Sequence, residues 1–572
     1  MFLILVGLVV VLGLVALVVQ GARHLVGRGG GGPDDGSGVR RFFQYFLLFG
    51  LLIIVGIGLS SLLGRLLEGP GLVSEDDPAL ARAITFSVIG IPLYLALAVW
   101  SRRRILEDAD ERWSLGWALY SVIAPLPALT VAMFALYDIL EWAFRADRYD
   151  ATATARLIVW GGLWLAHWLV ARPLASQTPA QIHLALGSAI GLGTAVSGLI
   201  ALLGTAIETL VGAGDGLVVG SGRDLARAGA ALATGALVWA LYWSWTFARE
   251  RPTPFWFGYV LPIGVGGGLV TAVAAGASVL HDVLVWFLGD SLRFDAARHF
   301  SAAPTAVSAV VVGFLVWWYH RQVLESAESE ERTEVRRIYE YLMAAIGLLS
   351  AAGGMATVLV AVVEALTGSG AIEVGSASAI NTLLAAITLL AVGAPLWWVF
   401  WTRIQRAVAA DPPEEAGSTT RRIYLLLLFG VGGVVAVIAL LVGVFVLIED
   451  LLEGRFGSET WRSMRFALAL LVTTGAIAAY HWAVYGQDRE AVPAQDRLGP
   501  RHILLIGDAD DEMARSLARA TRSRVELWPR TDGVAGPWDL AELVEAVGAS
   551  ESKAVTVISG PGGLQVIGID RD

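Results

Sequence analysis

The chain has 572 residues, of which 56% are hydrophobic and only 16% charged, with a mean hydropathy of +0.65; a soluble protein of this length carries about 25% charged residues. Cysteine is absent, which excludes disulfides, thiolate metal sites and a cysteine nucleophile. The formal net charge of −10 arises largely in loops and the C-terminal segment, and with no basic patch nucleic acid is not expected as a partner.

The composition and the long apolar runs specify an all-α polytopic membrane bundle with a small C-terminal α/β domain. Residues 1–22 hold a leading apolar run that extends from Met1 to Gln20, with Arg23, Arg28, Arg40 and Arg41 after it rather than before it. That charge order predicts a leading transmembrane helix with its N-terminus outside, not a cleaved signal. Residues 23–38 are a Gly-rich linker.

An internal repeat follows. Arg40-Arg41-Phe42-Phe43, Arg336-Arg337-Ile338-Tyr339 and Arg421-Arg422-Ile423-Tyr424 are versions of one phrase. Twenty-five residues beyond the last ring of each stand Glu68, Glu364 and Glu449, and the same offset leads from Trp113 to Asp138, His183 to Glu208 and Phe257 to Asp282. Each segment is followed by a polar loop and a second apolar segment that ends in Trp, Tyr or His with Arg close behind, as at Trp100-Ser101-Arg102 and Trp401-Thr402-Arg403. Gly90-Ile91-Pro92-Leu93 and Gly393-Ala394-Pro395-Leu396 mark equivalent points in two such segments.

The repeats are read as 39–110, 111–180, 181–252, 253–330, 331–412 and 413–486, six parallel two-helix units that give about 13 transmembrane helices with the leading one. Two spans per repeat orient every copy alike. Arg at both ends of each pair puts those ends in the cytoplasm, where Trp and Tyr form an interfacial belt. The repeated Arg-Arg-Ile-Tyr phrase, followed by a Gly-rich span and an acid, resembles a bacterial family of uncharacterised multi-pass membrane proteins known as a domain of unknown function. The resemblance covers about residues 39–486 and is clearest in the first, fifth and sixth repeats. It implies a membrane location and carries no activity.

A helix of 25 residues rises about 37 Å, against a hydrocarbon core of about 30 Å, so the six repeated acids are expected at the outer edge of the membrane. The favoured reading is a structural clasp in which Arg82, Arg156, Arg227 and Arg465, each just before a second helix, pair with these acids. The rival reading is an outer vestibule for cations. Gly187, Gly191, Gly264 and Gly268 have the spacing of close helix packing. Pro125 and Pro127 are expected to kink their span. His167, His320 and His481, near the ends of second helices, are read as interfacial hydrogen-bonding groups, and His281 with Asp282 as an interfacial pair. No catalytic, metal or cofactor site is expected.

Beyond a linker at 487–500, residues 501–572 predict a cytosolic domain of order β-α-β-α-β-β, with a hairpin turn at Gly560-Pro561-Gly562-Gly563. Gly507-Asp508-Ala509-Asp510 follows the first strand without a phosphate-binding fingerprint. The expectation is a non-enzymatic membrane scaffold or sensor whose partners are the lipid bilayer and a protein that meets the C-terminal domain. The alternative is a transporter or channel for a neutral or apolar solute.

Overall fold

The computed structural model describes residues 37–68, 77–211, 221–290, 295–326, 334–367, 379–491, 500–507, 511–521, 523–528, 538–550, 552–560 and 563–569. The leading helix, most of the Gly-rich linker and Asp508 to Asp510 lie outside them. Two bodies are present, one of residues up to 410 with 419–482, the other of 411–418 with 483–572.

Among the described residues, twelve helices are long and apolar enough to cross a membrane. They are α1 (Arg40–Glu68), α2 (Pro78–Glu107), α3 (Leu115–Ala143), α4 (Ala151–Leu174), α5 (Gln177–Val211), α6 (Gly222–Arg249), α7 (Pro254–Leu288), α8 (Ala303–Ser326), α9 (Glu334–Thr367), α10 (Ile380–Ala410), α11 (Thr419–Leu452) and α12 (Ser458–Arg489). The protein is thus a multi-pass membrane protein. Successive pairs form six hairpins, and the hairpins combine two by two. In the first and second four-helix units the first helix also packs on the fourth, α1 on α4 and α5 on α8. In the third, α9 reaches α12 through the Glu364–Arg465 ion pair. Between units the third helix packs on the second helix of the next, α3 on α6 and α7 on α10.

Glycine sets the closeness of the three central hairpins. A Cβ at Gly268 would lie 2.5 Å from the Trp317 amide nitrogen and 2.8 Å from the Gly313 carbonyl oxygen. One at Gly313 would lie 2.8 Å from the Gly268 carbonyl oxygen, so the contact is reciprocal. Gly347 and Gly393 make the same crossing between α9 and α10, and Gly191 and Gly235 face the opposite backbone between α5 and α6. Lipid gives apolar helices no hydrophobic reason to associate, so this loss of side chain, which lets backbones touch, supplies the packing energy. The sixth hairpin is looser: Gly430, Gly433 and Gly475 have open space where a Cβ would stand.

Local sequence shapes the ends. The third span is interrupted at Ala124, with Leu115–Ile123 before it and Pro125–Ala143 after it, because Pro125 and Pro127 lack amide hydrogens. Short π-helical stretches occupy His167–Ala171, Ala240–Ser244 and Val260–Gly266; the last contains Pro262, which removes a helical donor. The last membrane helix continues to Ala491, into the stretch read as linker, because Gln487, Arg489 and Glu490 are good helix formers.

The second body carries a four-stranded sheet of order β2-β1-β3-β4, with β1 (His502–Ile506), β2 (Arg524–Trp528), β3 (Ala554–Gly560) and β4 (Gly563–Ile569). β1 pairs in parallel with β2 and β3, and β3 antiparallel with β4. Helices α13 (Asp511–Thr521) and α14 (Leu540–Gly548) bury Leu517, Leu543 and Val547 with Ile503, Leu505, Val555 and Val557. Asp539 caps α14 by accepting from the Ala541 and Glu542 amides.

The glycine contacts yield a differential test. Gly268→Ala or Gly347→Ala forces backbones apart and is expected to cost about 1–3 kcal/mol. Gly430→Ala or Gly475→Ala, in open helix, is expected to stabilise by about 0.5–1 kcal/mol. Thermal melts of the detergent-solubilised chain read the sign of each change, and equal melting points for the two sets would contradict this packing scheme.

Candidate functional site

One short sequence occurs three times in the chain, each time between the two hairpins of a four-helix unit. It is Glu111-x-x-Ser114, Glu250-x-x-Thr253 and Glu415-x-x-Ser418, with Tyr120, Tyr259 and Tyr424 each six residues beyond the hydroxyl residue. Ser114 and Thr253 start their helices, accepting from the amides of Trp117 (3.2 Å) and Trp256 (3.4 Å). Starting the helix there fixes the direction in which the tyrosine points.

Each tyrosine meets a histidine on the last helix of its unit. Tyr120 Oη lies 2.9 Å from His167 Nε2, and Tyr259 Oη 3.4 Å from His320 Nε2. The Nδ1 atoms of these histidines lie 2.8 Å from the carbonyl oxygens of Leu163 and Val316. A carbonyl only accepts, so Nδ1 carries the proton, Nε2 of the neutral ring accepts, and the tyrosine hydroxyl donates. Trp239 Nε1 donates to Tyr259 Oη at 2.8 Å, which extends the chain by one step. A related bond crosses between units: Trp164 Nε1 donates to Tyr242 Oη (2.7 Å), which lies 3.1 Å from His183 Nε2. In the third unit His481 Nδ1 bonds the Ile477 carbonyl at 2.8 Å, and Tyr424 lies beside the ring, with centroids 5.9 Å apart. All three histidines are buried. His167, His320 and His481, read from the sequence as interfacial hydrogen-bonding groups, are hydrogen-bonded and turned inward by their helices, the first two onto tyrosine hydroxyls. Trp243, at such a helix end, is buried with them, as are Tyr242 and Tyr259.

Charge organises the same level. Glu111 is fully buried and receives Arg40 and Arg41, each at 2.9 Å, and the Tyr45 hydroxyl at 3.2 Å. Gln44 donates to Ser101 at 2.8 Å. In the second unit Arg172 lies 3.6 Å from Glu250, and Thr253 donates to Gln181 at 2.9 Å. In the third, Arg421 stands where the others have Trp117 and Trp256; it is buried, donates to Tyr341 at 3.2 Å and lies over the Trp401 ring. Beside the first tyrosine–histidine pair is a pocket of 240 Å³, whose walls include Tyr94, Ala98, Ser101, Tyr120 and His167.

The repeated acids lie toward the opposite ends of their helices. Glu364 pairs with Arg465 at 3.0 Å, across hairpins five and six. Glu68 accepts from Thr152 at 3.2 Å. Arg227 pairs with Glu141 at 3.2 Å and with Asp224, not with Asp138. Asp282 offers its backbone carbonyl to His299 at 2.8 Å. Among the described residues Asp138, Glu208 and Glu449 have no ion pair, nor do Arg82 and Arg156. The acids are not gathered into one ring of contacts, and no group of three potential metal ligands occurs among the described residues.

These two levels differ in burial. Glu111→Gln removes a fully buried carboxylate shared by two guanidiniums, of which Arg41 keeps Asp108 at 3.2 Å and Arg40 is partly exposed, and is expected to destabilise by about 2–3 kcal/mol. Glu364→Gln removes a partly exposed pair and is expected to cost about 1 kcal/mol or less. Denaturation of the two variants in one detergent ranks them, and a larger effect at Glu364 would reverse the assignment of the stabilising knot.

No curated protein and no solved structure matches the chain. A family model described as "Domain of unknown function (DUF5671)" matches three times, over residues 41–162, 181–304 and 337–476. Each match spans most of one four-helix unit, and together they cover more than half of the chain. The matches repeat once per pair of hairpins, each ending short of the histidine that closes its unit, and the chain belongs to the DUF5671 family.

Proposed function

We propose that the protein is a non-enzymatic membrane scaffold or sensor, with three four-helix units as its platform and the C-terminal α/β domain as the part displayed to a protein partner in the cytoplasm. The observation that carries this reading is the commitment of the buried polar groups of the first two tyrosine–histidine couples and of Glu111 to partners within the protein; in the third couple His481 Nε2 and Tyr424 Oη have no hydrogen-bond partner among the described residues. His167 and His320 each have both ring nitrogens in hydrogen bonds, and Glu111 is enclosed by Arg40, Arg41 and Tyr45. Groups held in this way build a rigid frame, whereas a general base or an ion relay needs a nitrogen or carboxylate open to a substrate. The displayed domain has a core of its own. The arginines at the connected helix ends, such as Arg102, Arg103, Arg321 and Arg403, support a cytoplasmic place for this domain, with the bundle in the cell membrane.

Single cysteines in the cysteine-free chain test the orientation. A membrane-impermeant maleimide applied to intact cells is expected to label Ser74→Cys and to leave Ser326→Cys unlabelled until the cells are opened. The reverse pattern would place the α/β domain outside. The scaffold reading is tested separately by stopped-flow swelling of proteoliposomes in glycerol or urea. No acceleration over empty liposomes is expected, and protein-dependent swelling would favour the transporter reading instead.

A further inference from the structure

The second helix of a hairpin has a common register in the three units, set by its crossing glycine. Gly90 faces Ile54 and Val55 of α1 as Gly235 faces α5 and Gly393 faces α9. Eight residues beyond Gly235 and Gly393 stand Trp243 and Trp401; eight beyond Gly90 stands Ala98. The terminal Trp100 of the first hairpin is two residues out of this register, 41% exposed, with Arg40 and Arg104 over its ring.

The two register tryptophans do the same thing. Trp243 lies 4.6 Å from the Tyr259 ring and 5.9 Å from the His320 ring. Trp401 lies 5.9 Å from Tyr424 and 5.6 Å from His481. An indole thus covers the tyrosine–histidine couple in the second and third units. Ala98 has no ring to place there, and the 240 Å³ pocket lies at that position. The small side chains of Ala166 and Ala171, at either end of the π-helical turn of α4, also line it.

The walls select the contents. Ser101, Tyr120 and His167 are already hydrogen-bonded within the protein, and the rest of the lining is mostly aliphatic or aromatic. Two lining residues, Val99 and Val170, are 51% and 48% exposed, so the pocket opens sideways on the apolar surface of α2 and α4. Arg102 also lines it; its side chain is exposed and has no ion pair among the described residues.

We propose that the first unit binds an amphiphile made of an acyl chain and an anionic head, with the chain end in the pocket beside Ala98 and the head at Arg102. A chain that leaves lipid for an apolar pocket gains little from desolvation. The charge-assisted bond to the guanidinium therefore sets the affinity and the selectivity. The ligand's source is either the bilayer's own anionic lipid or a free fatty acid, since both present this chemistry.

The test uses the full chain in phosphatidylcholine nanodiscs, with quenching of tryptophan fluorescence, Trp117 being in the pocket wall, by brominated dodecanoate, brominated dodecanol or brominated-chain phosphatidylglycerol. Saturable quenching is expected from dodecanoate, from phosphatidylglycerol or from both, and which of them quenches identifies the source. Binding should weaken by about tenfold for the neutral dodecanol and for Arg102→Gln. Ala98→Trp, which copies the other two units, should abolish it with the melting temperature kept or raised. Val170→Trp, at the exposed mouth, serves the same purpose if Ala98→Trp does not fold. Dodecanol binding as tightly as dodecanoate would overturn the proposal, as would saturable quenching that survives in a folded pocket-filling variant.

Discussion

The bundle depends on helices that approach until their backbones touch. In water, burying apolar faces would hold such helices together; in lipid that drive is missing, and van der Waals contact and hydrogen bonds remain. The reciprocal contact of Gly268 with Gly313, and its counterpart at Gly347 and Gly393, supplies the first. The tyrosine–histidine and arginine–glutamate bonds at the Arg-rich end supply the second. With one end of each unit tied by polar groups and the middle of the central hairpins locked by glycine, the opposite end needs little, and its acids are correspondingly varied in their partners.

The three units share this plan and differ in instructive places. Trp117 and Trp256 occupy a position that Arg421 takes in the third unit, exchanging an aromatic stack for a buried cation held by Tyr341 and the Trp401 ring. The first unit has Ala98 where the others have tryptophan, and it is there that a pocket opens. The sixth hairpin keeps the glycines Gly430 and Gly475 without the close contact they serve elsewhere. A repeated frame thus carries substitutions confined to single units, which is how one architecture acquires local specialisation.

Much of the architecture was legible from period and composition, because an apolar run of eighteen or more residues has few other structures open to it. Twelve of the expected spans, the order of the C-terminal strands and the packing role of Gly191 and Gly268 were all readable in this way. The union of hairpins into four-helix units was not, since it rests on contacts such as α1 with α4 that leave no periodic trace. The couples Tyr120–His167 and Tyr259–His320 join residues 47 and 61 positions apart; the histidines attracted notice singly and their partners did not. A signal was available in the thrice-repeated Glu-x-x-Ser/Thr with tyrosine six residues on. The fixed 25-residue offset drew attention to Glu68 and Asp138 instead, because scarce charges stand out in a sequence whether or not they carry the packing.

The claim on which the rest turns is that the first helix of a unit lies against its fourth. A Cβ at Gly64 would stand 3.7 Å from that of Ala155, within the range of about 3.5–4.5 Å that a disulfide spans. The cysteine-free chain carrying Gly64→Cys and Ala155→Cys can be oxidised mildly in native membranes and read by mass spectrometry of its fragments. Rapid and near-complete formation of the 64–155 disulfide is the result this arrangement predicts. A folded protein that keeps both thiols free would show that α1 and α4 are apart, and that the hairpins, not the four-helix units, are the structural elements of the bundle.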